Sequence, residues 1–262
     1  LKDRYAFLLT LKSLHYELHE LITYAKECTE CYVLLKQKLD LLCRFILSET
    51  NQKRWQRWGT HAEILHQCER LRETSAKALC DMEKYQSQQT CNHRREATAY
   101  FSTLTQAVKQ ELEQAGVDCN SKVLFVGSGA FPASALTIAK VKQAQVMCLD
   151  IDREAVELAR QVAQTAGLDA SIQFASRKVE EESFVGEATH IIVASLVKEK
   201  WEVVDAVKRR MKPDAKIILR YGNGLKSIFN YPLEKGIPSE WKLTPIRHRK
   251  NVYDTIILQK AL

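Results

Sequence analysis

The sequence predicts an α/β chain in two parts: an all-helical N-terminal domain over residues 1–118, then a doubly wound, largely parallel sheet flanked by helices over residues 119–262. Three observations predict it. The first 118 residues contain no proline and only Gly59 and Gly116, while their apolar residues recur at helical spacing. From Asn120 onward, short apolar runs alternate with helical segments across short loops, the order of βαβ units. One strand-to-helix joint carries Gly127-Ser128-Gly129, and the next strand ends on Asp150.

The helical half reads in order. Leu14, Leu18, Leu21 and Ile22 mark one helix, and Leu34, Leu35, Leu39, Leu42 and Ile46 mark the next. Ser48-Glu-Thr-Asn51 supplies capping side chains and breaks the run. Trp55 and Trp58 precede a longer helix with the stripe Ile64, Leu65, Cys68, Leu71, Leu79 and Met82. Gln86 to His93 is polar and is expected to be a loop. Tyr100, Leu104, Val108 and Leu112 begin a helix that Gly116 ends. Glu83 borders the apolar stripe beside Met82. Two readings stand there: a surface carboxylate at the stripe's edge, or a half-buried one with a raised pKa, suited to proton transfer.

In the second half, Val123–Val126 is the first strand, and its helix enters through Pro132, whose missing N–H costs nothing in a first turn. Ala144–Leu149 is the second strand. Asp152 caps a helix that Gly167 ends. Strands follow at Ser171–Ala175, Thr189–Ala194 and Lys216–Arg220, with a helix from Lys198 to Met211. Trp241–Ile246 and Val252–Leu258 are expected to form an edge hairpin joined by Arg247-His-Arg-Lys250. In such sheets ligands bind at the carboxyl ends of the strands, where Gly127, Asp150, Ser195 and Arg220 all fall.

Composition narrows the function classes. No apolar run approaches the ~18 residues of a membrane span. The opening Leu-Lys-Asp-Arg-Tyr lacks a signal-peptide layout. Eight scattered cysteines read as reduced thiols of a cytoplasmic protein. The one C-x-x-C, Cys28 and Cys31, has no second pair or nearby histidine, and His15 and His19 lack the glutamate spacing of a zinc motif, so no metal site is expected. Net charge is +7, and it is uneven: 17 basic and 16 acidic residues up to 118, 22 and 16 after it. The excess suits a carboxylate-bearing substrate, RNA or a solvated surface. No aromatic-interleaved basic patch points to nucleic acid. The long apolar helical N-terminus is compatible with a homodimer.

Strand, glycine turn, helix, strand and acid form the layout of a nucleoside site, the acid taking the ribose hydroxyls. The dinucleotide fingerprint requires a third glycine where Pro132 stands. That disfavours a nicotinamide cofactor and favours S-adenosylmethionine.

The second half resembles a class I S-adenosylmethionine-dependent transferase. More closely, Val-Gly-Ser-Gly-Ala-Phe-Pro (126–132), Asp-Ile-Asp (150–152), Thr-His-Ile-Ile (189–192) and Arg-Tyr-Gly-Asn-Gly-Leu-Lys-Ser-Ile-Phe-Asn-Tyr-Pro (220–232) resemble the nicotianamine synthase family, in particular its bacterial branch that builds opine metallophores of the staphylopine type. The likeness runs from about Glu83 to the C-terminus. It implies transfer of the 3-amino-3-carboxypropyl (aminobutyrate) arm, not the methyl, of S-adenosylmethionine to the α-amine of histidine, with methylthioadenosine released. The Phe-Asn-Tyr-Pro segment tilts the acceptor toward D-histidine.

The resemblance also implies roles. Gly127, Ser128, Gly129 and Ser195 hold the co-substrate, Asp150 its ribose and Ile151 its adenine. Glu83 accepts the acceptor amine's proton, and Tyr100 orients the amine or the moving arm. Arg220 forks onto a substrate carboxylate; the alternative is a salt bridge at a strand end. Tyr231 reads as structural. Where plant members carry Tyr-Tyr this chain has Tyr100-Phe101, one hydroxyl fewer. The competing reading is a methyltransferase acting on RNA or a small molecule.

Overall fold

A computed structural model of the chain describes the backbone of residues 1–92, 99–233, 236, 238–246 and 251–261, and the side chains of all of these except 99–104. Five helices come first: α1 (Lys2–Glu27), α2 (Cys31–Leu47), α3 (Glu49–Trp58), α4 (Ala62–Cys91) and α5 (Ala99–Ala115). They are followed by β1 (Lys122–Val126), α6 (Ala133–Lys142), β2 (Gln145–Asp150), α7 (Arg153–Thr165), β3 (Ile172–Ser176), β4 (His190–Val193), α8 (Lys200–Lys208), β5 (Lys216–Tyr221), β6 (Trp241–Ile246) and β7 (Asp254–Lys260). The seven strands lie in the order β3-β2-β1-β4-β5-β7-β6. β1 to β5 are parallel; β7 pairs antiparallel with β5 and with β6. The edge hairpin is therefore as expected, with its tip, Arg247–Lys250, outside the described residues. Pro245 sits in edge strand β6, where a missing donor is tolerated.

The central strands are buried on both faces, which explains their unbroken apolar runs: Leu124, Ile191, Ile192, Ile217 and Ile218 are inaccessible to solvent. Ser48 caps α3 by accepting from Asn51 N–H, and Asp152 caps α7 by accepting from the N–H groups of Glu154 and Ala155.

One element departs from expectation. The polar stretch from Gln86 onward continues α4 to Cys91 instead of forming a loop. No glycine or proline interrupts the helix, and Gln86 and Ser87 are buried. Ser87 Oγ donates to Ala130 O at 2.8 Å, so the polarity of this turn serves a contact with the sheet half.

The hydrophobic cores interlock across residue 118. Phe7, Leu11, Leu42 and Leu71 of the helical half pack in one core with Leu225, Phe229 and Tyr253. Val108, Leu112 and Ala115 of α5 pack on the sheet with Val123, Phe125, Ile192 and Ile218. Each fully buried Leu, Ile or Phe contributes ~1.5–3 kcal/mol, so α5 is held on the sheet by one core, while a second joins α4 to the segments around Leu225, Phe229 and Tyr253.

Candidate active site

A cavity of about 680 Å³ opens at the carboxyl ends of β1, β2 and β4, the place where the strand order reverses. Gly127, Ser128, Gly129, Asp150, Ile151, Ser195 and Arg220 line it together with Glu83 from α4. The sequence-derived residues with described side chains thus share one cavity. Tyr100 lies in the first turn of α5, and its side chain is outside the described residues.

The glycine turn is shaped by close approach. Gly127 and Gly129 have φ of +79° and +70°, where a side chain is strained. A β-carbon on Gly127 would stand 2.7 Å from Val197 Cγ2, and one on Gly129 would overlap Glu83 Oε2. Asp150 fixes the turn from the neighbouring strand: its Oδ2 accepts from Gly129 N–H at 2.9 Å and its Oδ1 from Asp152 N–H at 3.0 Å. Ile151 follows with 82 % of its surface exposed at the cavity rim.

Three residues of one stretch of α4 bind the sheet half. Ser87 takes Ala130 O. Lys84 Nζ reaches Asp152 at 2.7 Å and Glu154 at 2.6 Å, at the start of α7. Glu83, on the same stretch, points into the cavity and accepts from the N–H groups of Ala130 and Phe131. Burial, then the nearby Asp150 carboxylate, push the Glu83 carboxyl up to about 8, against the two N–H donors that favour its charge. This matches the half-buried, raised-pKa alternative for Glu83.

Arg220 is buried, and its donors have protein partners. Nε and Nη2 reach Glu111 Oε2 at 3.0 and 2.6 Å, and Nη1 reaches Ser134 Oγ at 3.0 Å. Glu111 Oε1 accepts in turn from Thr255 at 2.6 Å. The guanidinium therefore ties α5 to β5 and α6, the strand-end salt bridge that was the alternative to a carboxylate fork.

Lys200 was not singled out from the sequence. It is 2 % exposed at the start of α8, and its Nζ donates to Ser195 O at 2.9 Å and Val197 O at 2.5 Å. Ser195 O also accepts from Tyr231 N–H at 3.1 Å. Burial, then Arg72, lower the Lys200 ammonium to about 7. Its signal was hidden because Lys198-Glu-Lys200 reads as a solvated run. Tyr231 lines the cavity, and its hydroxyl donates to Glu73 at 2.8 Å.

Residues 63–261 match the sequence profile described as nicotianamine synthase protein. The chain belongs to the nicotianamine synthase family. Within reach of this nicotianamine synthase-family chain are two curated relatives. An L-histidine 2-aminobutanoyltransferase of Pseudomonas aeruginosa is 39% identical over 261 residues, spanning 100% of this chain and 99% of the relative. One of Yersinia pestis is 34% identical over 254 residues, spanning 95% and 94%. Among solved structures, MtNAS in complex with MTA and tNA superposes with a TM-score of 0.81 at 15% identity over 97% of both chains. A mutant of MtNAS in complex with S-adenosylmethionine gives 0.77 at 14% identity, over 95% of this chain and 98% of that one. At that identity the structural likeness establishes the fold, and it extends over the helical half as well as the sheet.

Proposed function

We propose that this chain transfers the 3-amino-3-carboxypropyl group of S-adenosylmethionine to the α-amine of L-histidine and releases methylthioadenosine. One observation carries the reading: Glu83 of the helical half touches Gly129 in the glycine turn of the sheet half. That contact supports a carboxyl lying near the amino-acid end of a bound nucleoside. The relatives are named for the L enantiomer, which outweighs the tilt toward D-histidine.

The chemistry fits. Attack at the carbon next to a sulfonium is an in-line displacement whose leaving group is a neutral thioether, so neither an acid nor a metal is required for departure. The amine must be neutral, which calls for a base within hydrogen-bond reach. A carboxyl raised to about 8 is a stronger base than an ordinary glutamate, which narrows the gap to the amine whose proton it accepts. The incoming sulfonium is a cation and favours the ionised carboxylate, so co-substrate binding would itself prepare the base. Gly127, Ser128 and Gly129 would hold the co-substrate through the backbone, Asp150 its ribose and Ile151 its adenine. Ser195 would complete the opposite wall, held by Lys200. Tyr100 would orient the amine or the moving arm. Positioning supplies most of the remaining rate.

Incubation with S-adenosylmethionine and L- or D-histidine, followed by mass spectrometry, tests this. The expected products are methylthioadenosine and aminobutyryl-histidine, with the L enantiomer preferred. S-adenosylhomocysteine as the nucleoside product would replace this reading with methyl transfer. No described helix is long and apolar enough to cross a membrane, and all eight cysteines are free thiols, which supports a reducing, cytoplasmic setting.

A further inference from the structure

The transfer reading leaves the acceptor's own carboxylate without a partner. Four basic residues line the cavity: Arg177, Lys178, Lys198 and Arg220. Arg220 is anchored by Glu111 and Ser134. Arg177 and Lys178 follow β3, beyond the strand that bears Asp150, and so belong to the nucleoside end; Arg177 also lies 3.7 Å from Glu182. Lys198 is different. It follows β4, on the other side of β1 from Asp150, and its ammonium has no hydrogen bond or ion pair among the described residues.

Lys198 does not stand alone on that wall. Its Nζ lies 5.9 Å from the centre of the Tyr231 ring, the Arg72 guanidinium 5.4 Å from it and Lys200 Nζ 5.7 Å. Tyr231 is also near enough to Cys80 for the two to interact, and Cys80 lies one turn before Glu83 on α4. Two cations, Lys198 and Arg72, thus converge with the buried Lys200 amine on one aromatic ring beside the helix that carries the candidate base. Glu199 and Glu202 line the cavity as well, but neither forms an ion pair with Lys198. Glu73 is engaged by the Tyr231 hydroxyl.

We propose that the Tyr231 wall is the carboxylate site of the acceptor. Lys198 binds the α-carboxylate of the incoming amino acid, Arg72 adds positive potential, and the α-amine is thereby directed toward Glu83. This deepens the transfer reading and rests on it. The acceptor class it defines is an amine with a free carboxylate on the adjacent carbon; histamine and amino-acid amides fall outside it.

The test compares L-histidine, L-histidinamide and histamine as acceptors for the wild type, Lys198→Met and Lys198→Arg, each checked for folding by thermal denaturation. With the wild type, histidinamide should raise KM at least tenfold over histidine. Lys198→Met should raise KM for histidine by a similar factor, leave KM for S-adenosylmethionine within twofold, and impose little further loss on histidinamide. Lys198→Arg should restore part of the histidine KM. Equal use of histidine and histidinamide by the wild type overturns the proposal, as does a Lys198→Met defect confined to S-adenosylmethionine, which would assign Lys198 to the donor's carboxylate. If histidine is not turned over at all, the transfer reading falls on that result alone. Calorimetric titration of histidine and histidinamide into protein loaded with methylthioadenosine then still decides the carboxylate site: tighter binding of histidine, lost in Lys198→Met, supports it, and equal affinities overturn it.

Discussion

Glu83 and Gly129 touch across the two halves of the chain: a β-carbon on Gly129 would overlap Glu83 Oε2. The glycine turn therefore serves two purposes. In the proposed reaction it lets the backbone approach a nucleoside, and it leaves room for a carboxyl delivered by a helix 46 positions earlier in the sequence.

Glu83→Gln should abolish methylthioadenosine release while S-adenosylmethionine still binds, measured by single-turnover assay and calorimetry. It should also change the pH dependence of stability. The folded carboxyl titrates near 8 and the unfolded one near 4.5, so the folded wild type holds one extra proton between those values. Wild-type stability then falls as pH rises through that window, relative to Glu83→Gln, and the gap stays constant above it. Melting temperatures of both proteins from pH 4 to 9, without ligand, check this; a constant difference throughout would contradict the raised pKa.

Gly129→Ala adds a β-carbon where Glu83 lies and places it at φ +70°. Strained positive φ costs on the order of 1–3 kcal/mol. The expected result is weaker S-adenosylmethionine binding and at least a hundredfold loss of turnover in a protein that still folds. Near-normal turnover would mean that the turn and Glu83 do not meet.

Arg220→Met should destabilise the fold by ~3–5 kcal/mol, because it strands a buried Glu111 carboxylate. The double substitution Glu111→Leu and Arg220→Met should recover much of that loss. Chemical denaturation of the three variants measures it. If Arg220→Met melts normally and only raises KM, Arg220 is a substrate ligand.

Lys200→Met removes the side-chain donor to Val197 O and one of the two donors to Ser195 O, and a buried unpaired polar group costs ~1–3 kcal/mol. S-adenosylmethionine affinity should fall more than the chemical step slows. The sign with pH is opposite to that of Glu83. A folded pKa near 7 against 10.5 unfolded means that the unfolded chain holds more protons between them, so wild-type stability rises with pH across that window and the variant lacks this rise. Denaturation midpoints at pH 6.5 and 9.5 test it.

Much of this architecture was legible residue by residue. Alternating apolar runs with glycine and proline at the joints specified a parallel sheet, since those signals are local and periodic. The motif order placed Gly127, Asp150, Ser195 and Arg220 at strand ends because the topology of such sheets leaves few other places for them. The end of α4 was misread because Gln86 and Ser87 are polar yet buried, and pattern alone equates polarity with exposure.

The sequence by itself determined the class of fold and the family, both of which depend on short-range pattern. Only the tertiary structure decided what each charged side chain faces. Arg220 and Glu111 are 109 positions apart, Lys200 looks like a surface residue, and Glu83 stood between two readings until α4 was seen against Gly129. Charge energetics depend on distance and burial in space, and separation along the chain encodes neither.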